Sequence, residues 1–402
     1  MTHADATSSQ RWLSERARGL GVSGIRRVFE LGATLKEPIN LSIGQPDFPV
    51  PDPIKRAAID AIEQDHNGYT LSQGIPQLRR RIVEHLAEDV GWPANSGEPE
   101  SGVGVMVTSG TSGALSLMMQ ALLSPGDEII IPDPYFVAYP TMAELCGGVA
   151  VRCDTYPDFR MTAERLEPLI SERTKAVLLN SPGNPGGAVM SGDECREVLE
   201  LCRAKGVLLV SDEIYDEFTF DDHREETPGG RKCPSPAREA GSHEDVLLIR
   251  GFGKSYGCTG WRMGYAAGPA HIINAMTRFQ QFTYVCAPSI AQHGCIAAFE
   301  TDIDHLVESY RVRRDMVVSR LSAHTRVTEP GGAFYCFVEV PERLGFGEQA
   351  GERFFERAVE ENVLLIPGHV FSDRDTHFRL SFATSERNLE RGLDALDVLL
   401  RG

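Results

Sequence analysis

No paired-cysteine signature, no basic tract and no long apolar run occurs in this 402-residue chain, and each absence closes off a class of protein. The nine cysteines (146, 153, 195, 202, 233, 258, 286, 295 and 336) are odd in number and scattered, with no C-x-x-C among them. That argues against a disulfide framework or a zinc site and for a reducing, cytoplasmic setting. Lys and Arg total 40 against 57 Asp and Glu, a net charge of -17, which disfavours nucleic acid as a partner. Anionic small molecules stay open if local cations receive them. The first residues, "MTHADATSSQRWLSERARGLG", lack the apolar core of a signal peptide, and no run approaches the roughly 18 apolar residues of a membrane span. The expectation is a soluble intracellular protein with no metal and no membrane partner.

What is present is ordinary globular composition, 42% hydrophobic and 24% charged, in a chain long enough for one large domain and a smaller one. Five short apolar runs each stop at a polar or Gly-rich turn: "VGVMV" before "TSGTSG", "EIIIP" before "DPYF", "KAVLLN" before "SPGNPGG", "GVLLV" before "SDEIY" and "VLLIR" before "GFGK". Unbroken runs of this kind suit strands covered on both faces, and helical patterns such as Ser112 to Leu123 and Ser191 to Gly206 lie between them. The alternation predicts an α/β doubly wound domain whose ligand sits beyond the carboxyl ends of the strands, where all five turns fall. The polar segment from Asp221 to Asp245 reads as an exposed excursion. After about Pro288 the pattern becomes one long helical region, then three further strands and a last helix beginning at Ser385. The expected division is an N-terminal segment, 1–50, that joins the small domain, a large domain over 51–287, and a smaller α+β domain over 288–402.

The turns carry the chemistry. In "VTSGTSGAL", Gly110, Thr111 and Ser112 open a helix whose unpaired N–H groups suit a phosphate, although a plain helix cap reads the same residues equally well. Asp212, just past a buried strand, needs a cation or a donor. Glu213 beside it points to the opposite side, so a metal site gains nothing and a protonated ring nitrogen is the suitable partner for Asp212. Asn180 and Asn184 lie in the irregular Pro- and Gly-rich turn "NSPGNPGG", and Phe136 at a strand end can stack on a planar ring or fill core. Finally, "RGFGKSYGCTGWRMGY" sets Lys254 on a bare backbone with Arg262 eight residues on. A desolvated lysine near another cation has a lowered pKa and suits Schiff-base chemistry, while an arginine offers a phosphate a fork. An aldehyde, a planar pyridine and a phosphate together describe pyridoxal 5'-phosphate.

At these motifs the chain resembles the class I aminotransferases of the type I pyridoxal-phosphate fold, in the branch of bacterial and archaeal aspartate and aromatic aminotransferases. The likeness runs from "SGIRRVFELG" through "LSIGQPDF", "GYTLSQGIP", "SPGNPGG", "SDEIYDEF" and "GFGKSYGCTGWRMGY" to "HFRLSFATS", nearly the whole chain. It implies a three-layer αβα large domain with a mostly parallel sheet and a smaller α+β domain. It implies Lys254 as the Schiff-base lysine, Asp212 on the pyridine nitrogen, Tyr215 and Asn184 on the ring oxygen, and Phe136 stacked on the ring. Gly110, Thr111, Ser112 and Arg262 would hold the phosphate, and Tyr69 would reach the phosphate of a neighbouring subunit, hence a homodimer with shared active sites. Arg379 would clamp the substrate α-carboxylate, with Gly44 lining the same place. The reaction implied is transfer of an amino group from an L-amino acid to a 2-oxo acid, 2-oxoglutarate or pyruvate; a carbon-sulfur β-lyase on the same fold is the alternative. Three positions depart from the family pattern. Gly253 and Gly186 stand where a serine or alanine and a threonine are common, and Ser112 stands where many aspartate-specific members carry a lysine, which weakens an aspartate assignment.

Overall fold

A sheet of seven strands organises the computed structural model, which describes residues 11–21 and 23–402; residues 1–10 and Val22, part of the N-terminal segment expected to join the small domain, lie outside the described residues. In chain order its strands are β1 (Val103–Ser109), β2 (Glu128–Asp133), β3 (Val149–Asp154), β4 (Thr174–Asn180), β5 (Leu208–Asp212), β6 (Val246–Gly251) and β7 (Met263–Pro269). They lie in the order β1, β7, β6, β5, β4, β2, β3. Pairing is parallel from β6 across to β3, and β7 runs antiparallel to both its neighbours. The unbroken apolar runs have the expected cause, since alternate residues of one strand enter two different cores. Val177, Leu179, Leu209 and Leu248 pack on one face of the sheet, and Ala176, Leu178, Val210 and Ile249 on the other.

A second sheet of three strands, β8 (Tyr335–Glu339), β9 (Ile366–Pro367) and β10 (His377–Ser381), is ordered β8, β10, β9 and is antiparallel. Ile39 and Asn40 pair in parallel with Val363 and Leu364, which ties the N-terminal segment to this part of the chain. The last helix, Glu386–Arg401, begins at the expected place because the Ser385 hydroxyl accepts the N–H of Asn388.

Two expectations are corrected. The long helical region is broken into a helix over Ser289–Ile296, a tight turn over Ala297–Glu300 and a helix over Asp304–Leu321. The Thr301 hydroxyl closes the first piece by donating to the Ala297 carbonyl, and Asp302 starts the second by accepting the N–H of Asp304 at 2.8 Å. Nor is the segment after Asp221 simply exposed. A short hairpin pairs Glu225–Thr227 with Gly230–Lys232, but Cys233, Ser235, Ala237 and Ser242 are buried. They are held because Trp92 Nε1 donates to the Ala237 carbonyl at 2.8 Å and Ser235 donates to Glu213 at 2.6 Å.

The glycines of the lysine-bearing stretch differ in what they permit. A Cβ on Gly264 would lie 2.7 Å from the backbone carbon of Gly110 and 2.8 Å from the nitrogen of Thr111, whereas one on Gly253 would meet nothing closer than 3.4 Å. Gly264→Ala is therefore expected to lower unfolding free energy by about 2 kcal/mol or more. Gly253→Ala is expected to leave it unchanged or raise it by up to about 1 kcal/mol. Urea unfolding of the two variants checks this, and equal losses would contradict it.

Candidate active site

The strand register brings the chemically marked turns to one edge. Asn180 at the end of β4 pairs with Asp212 at the end of β5, Asp212 with Ile249 of β6, and Met263 of β7 with Ser109 of β1. Beyond that edge lies a cavity of about 790 Å³ whose wall includes Gly44, Gly110, Thr111, Ser112, Phe136, Asn184, Asp212, Tyr215, Lys254, Arg262 and Arg379. Of the sequence-derived site residues, Tyr69 alone is not on this wall; it is 90% exposed.

Lys254 sits in a single helical turn, Phe252–Ser255, directly after β6. Its Nζ donates to the Gly44 carbonyl and lies 5.8 Å from the centre of the Phe334 ring. The residue as a whole is half-buried because the cavity opens above it, but its amine is enclosed by protein. Burial, with Arg379 and Arg262 nearby, pushes its pKa down to about 8, so a nucleophilic neutral amine is accessible near neutral pH.

Asp212 is only 2% exposed. Tyr139 donates to its Oδ2 at 2.7 Å and the Ile214 N–H to its Oδ1 at 3.3 Å. Burial nonetheless pushes its pKa up to about 6, since neither donor carries a charge. Tyr215 is buried, its hydroxyl 3.2 Å from that of Tyr335, and burial first, then the Tyr335 hydroxyl, holds it in the neutral phenol form.

Arg379 crosses the cavity floor from β10. It is 1% exposed, donates from Nη1 to Asn184 Oδ1 and from Nη2 to the Ser42 carbonyl, both at 2.9 Å, and lies against the Tyr335 and Phe371 rings at 4.3 and 4.7 Å. Its Nε has no protein partner. A buried guanidinium with two neutral acceptors and no carboxylate beside it is ready for an anion.

At the other end of the cavity the helix Gly110–Leu122 begins without a side-chain cap, because Ser109 makes no capping hydrogen bond. The plain-cap reading of this turn is thus set aside, and its first N–H groups and positive dipole end face the cavity. Arg262, held in the left-handed region at φ 56° by its place between a tight turn and β7, comes so close that a Cβ on Gly110 would lie 2.7 Å from its Nη2. Glycine at 110, itself at φ 69°, makes room for that fork. These residues fit pyridoxal phosphate. The uncapped helix and Arg262 suit its phosphate, the enclosed amine its aldehyde and the buried carboxyl its ring nitrogen.

Sequence reasoning missed Tyr139, Tyr335 and the tie made by Asn180, whose Nδ2 donates to the Asp212 carbonyl and whose Oδ1 accepts the Asn184 N–H, each at 3.0 Å. Tyr139 stood in view in "DPYFVAYP", where only Phe136 was weighed; the two rings meet edge to face at 5.5 Å. Gly186 also has a physical partner: the ring of Phe159 fills the space a side chain there would need, 2.8 Å from its Cβ position.

Comparison with known proteins agrees with this geometry. The family model for aminotransferase class I and II matches residues 36–396. The aspartate aminotransferase of Geobacillus stearothermophilus is 36% identical over 96% of this chain and 98% of its own. Aromatic-amino-acid aminotransferase 2 of Thermococcus litoralis is 30% identical over 97% and 98%. The solved structure of Thermus thermophilus aspartate aminotransferase with maleate superposes with a TM-score of 0.87 at 33% identity, covering 97% of this chain and all of that one. The chain belongs to the class I and II aminotransferases, with the type I fold of pyridoxal-phosphate enzymes. It is a transaminase, and pyridoxal phosphate is its cofactor; nothing favours the lyase alternative.

The raised pKa of Asp212 has a measurable cost. Between about pH 4 and 6 the folded cofactor-free protein holds a proton here that the unfolded chain has released. The stability this group contributes is thus present at low pH and lost as pH rises through 6. Asp212→Asn removes the charge and keeps the shape. It is expected to raise the melting temperature of the cofactor-free protein at pH 8, by the equivalent of up to about 3 kcal/mol, with the gain vanishing toward pH 4. Calorimetry at the two pH values decides, and a gain independent of pH contradicts the assignment.

Proposed function

We propose that the cavity binds an L-amino acid by its α-carboxylate at Arg379 and passes its amino group to pyridoxal phosphate held by Lys254, and from there to a 2-oxo acid such as 2-oxoglutarate or pyruvate. The observation that carries this is the pairing of two buried cations across one cavity, Arg379 with an unpartnered Nε and Lys254 with its depressed pKa. In this reading Gly110, Thr111, Ser112 and Arg262 hold the phosphate, Asp212 faces the ring nitrogen, Tyr215 and Asn184 take the ring oxygen and Phe136 lies along the ring. Gly44 lines the carboxylate end; a Cβ there would lie 2.8 Å from the Tyr335 hydroxyl, so glycine makes room for that hydroxyl.

The chemistry divides among these residues. Bound pyridoxal phosphate supplies an electron sink conjugated with the substrate Cα. Asp212 keeps a proton on the ring nitrogen by standing beside it as a carboxylate in a dry site. Arg379 fixes the carboxylate and so aims the Cα–H bond, an orientation effect. Lys254, which would hold the cofactor aldehyde, would also offer its free Nζ as the base that takes the proton from Cα; a pKa of about 8 matches that task.

Ser112 adds no cation beside the phosphate end, so aromatic or other neutral donors are favoured over aspartate here. Relatives named for both aspartate and aromatic amino acids occur at similar identity. The exposed Tyr69 is read as a residue of the neighbouring active site, which makes the working unit a homodimer. Free cysteines fit a cytoplasmic location, and no helix among the described residues is long and apolar enough to cross a membrane. The division into a large body over 51–287 and a small one over 288–402 joined by 1–50 belongs to the same reading. The pairing of Ile39–Asn40 with Val363–Leu364 supports it. The seating of Gly294, whose Cβ would lie 3.2 Å from the Ile54 carbonyl, favours a boundary closer to Thr301.

A donor panel with 2-oxoglutarate and with pyruvate tests the function. Oxo-acid product from at least one neutral amino acid is expected, and Lys254→Ala is expected to lower kcat by a thousandfold or more, on the order of what a lost nucleophile and base cost. No product from any donor would refute the reading. For the shared site, Tyr69→Phe is expected to weaken cofactor binding about tenfold while sedimentation still reports a dimer. Unchanged cofactor affinity, or a monomeric native protein, would remove Tyr69 from the site.

A further inference from the structure

On the face of the sheet opposite the Asp212 side chain, one arginine grips the turn that carries Asp212 and Tyr215. The last rung between β5 and β6 joins Asp212 to Ile249, and the Glu213 N–H still reaches the Ile249 carbonyl at 2.9 Å. Past that point side chains join the two strand ends. Arg250 donates from Nε and Nη2 to the Glu213 Oε2, at 3.0 and 2.8 Å, and from Nη1 to Asp89 at 2.7 Å; its Nε also lies 3.1 Å from Asp216. Arg250 is 2% exposed and Glu213 is fully buried. The second Glu213 oxygen accepts from Ser211 at 2.8 Å and Ser235 at 2.6 Å, so this carboxylate has no slack. Glu213 and Asp216 flank Tyr215, and Arg250 stands four residues before Lys254.

We propose that Arg250 is a positioning residue. By holding Glu213 and Asp216 it fixes the turn bearing Asp212 and Tyr215 against the turn bearing Lys254, and so sets how the two ends of the bound cofactor are presented. A planar fork is needed, because a lysine at this place has one donor centre and cannot grip Glu213 twice while also facing Asp216 and Asp89. The proposal rests on the roles assigned above to Asp212, Tyr215 and Lys254.

The test compares Arg250→Lys with Asp89→Asn in the holoenzyme. Asp89 also holds Arg250, and at 6% side-chain exposure is itself buried, but it contacts neither Glu213 nor Asp216. Both variants are expected to melt lower. Only Arg250→Lys is expected to move the pH midpoint of the bound cofactor's visible absorbance, by about half a unit or more, and to lower kcat about tenfold to a hundredfold with KM for the donor within about twofold, since Arg379 is untouched. Asp89→Asn should leave midpoint and kcat unchanged. Should Arg250→Lys not fold, Asp216→Asn and Glu213→Gln each remove one anchor of the turn and are read in the same way. A purely structural Arg250 would lower the melting temperature in both variants with neither absorbance midpoint moved, and equal shifts in both would point to a general loosening of the buried cluster, since Arg250→Lys keeps its charge; either result overturns the proposal. Failure of the underlying roles is separable, because Lys254→Ala would then keep the visible band.

Discussion

Everything in this active site depends on the register of three neighbouring parallel strands, in which Asn180 stands opposite Asp212 and Asp212 opposite Ile249. A slip of one residue would turn Asp212 to the far face and Glu213 into the cavity. The alternation of side chains is therefore what separates the two acids into different work. Asp212 meets the cavity through a strand end packed on both sides, while Glu213 is committed to Arg250. Burial makes that commitment strong. Removing either member of a buried ion pair strands a charge, which typically costs about 3 to 5 kcal/mol.

The cavity itself is a concentration of cations in a chain whose net charge is -17. Lys254, Arg262 and Arg379 all line it, and the helix Gly110–Leu122 adds a positive dipole end. Burial first, then repulsion from Arg379 and Arg262, depresses Lys254, and burial lowers the pKa of Arg379. A site in this state gains from two anions placed at its ends, and in the proposed reading a phosphate and an α-carboxylate are that pair. Elsewhere on the molecule many carboxylates face arginines of their own, as Asp245, Glu308 and Asp397 do.

Much of this was legible in the residues. Strand ends were marked by apolar runs stopping at turns, and a cavity at those ends follows from how α/β sheets place their ligands. Lys254, Asp212 and Arg262 stood out because charge beside a buried strand or on a bare backbone needs a reason, whereas Arg379 came only from the family resemblance. What stayed hidden was carried by residues whose side chains meet only in three dimensions. Tyr139 reaches Asp212 across 73 positions, and Tyr215 meets Tyr335 across 120. The burial of the stretch after Asp221 was likewise illegible, since its serines and prolines look solvated until Trp92 and Glu213 are seen to hold them. The break at Thr301 was readable in principle from the Thr-Asp-x-Asp capping pattern.

The central claim is that one lysine, chosen by its enclosure and not by its type, carries the cofactor. Lys36, Lys55, Lys175, Lys205 and Lys232 share the chemistry of Lys254 but lie outside the cavity wall. Treating the holoenzyme with borohydride, digesting it and mapping the phosphopyridoxyl group by mass spectrometry asks this directly. The account predicts the label on the peptide containing Lys254 at close to one per chain. Label distributed over the other lysines, or absent from Lys254, would contradict it.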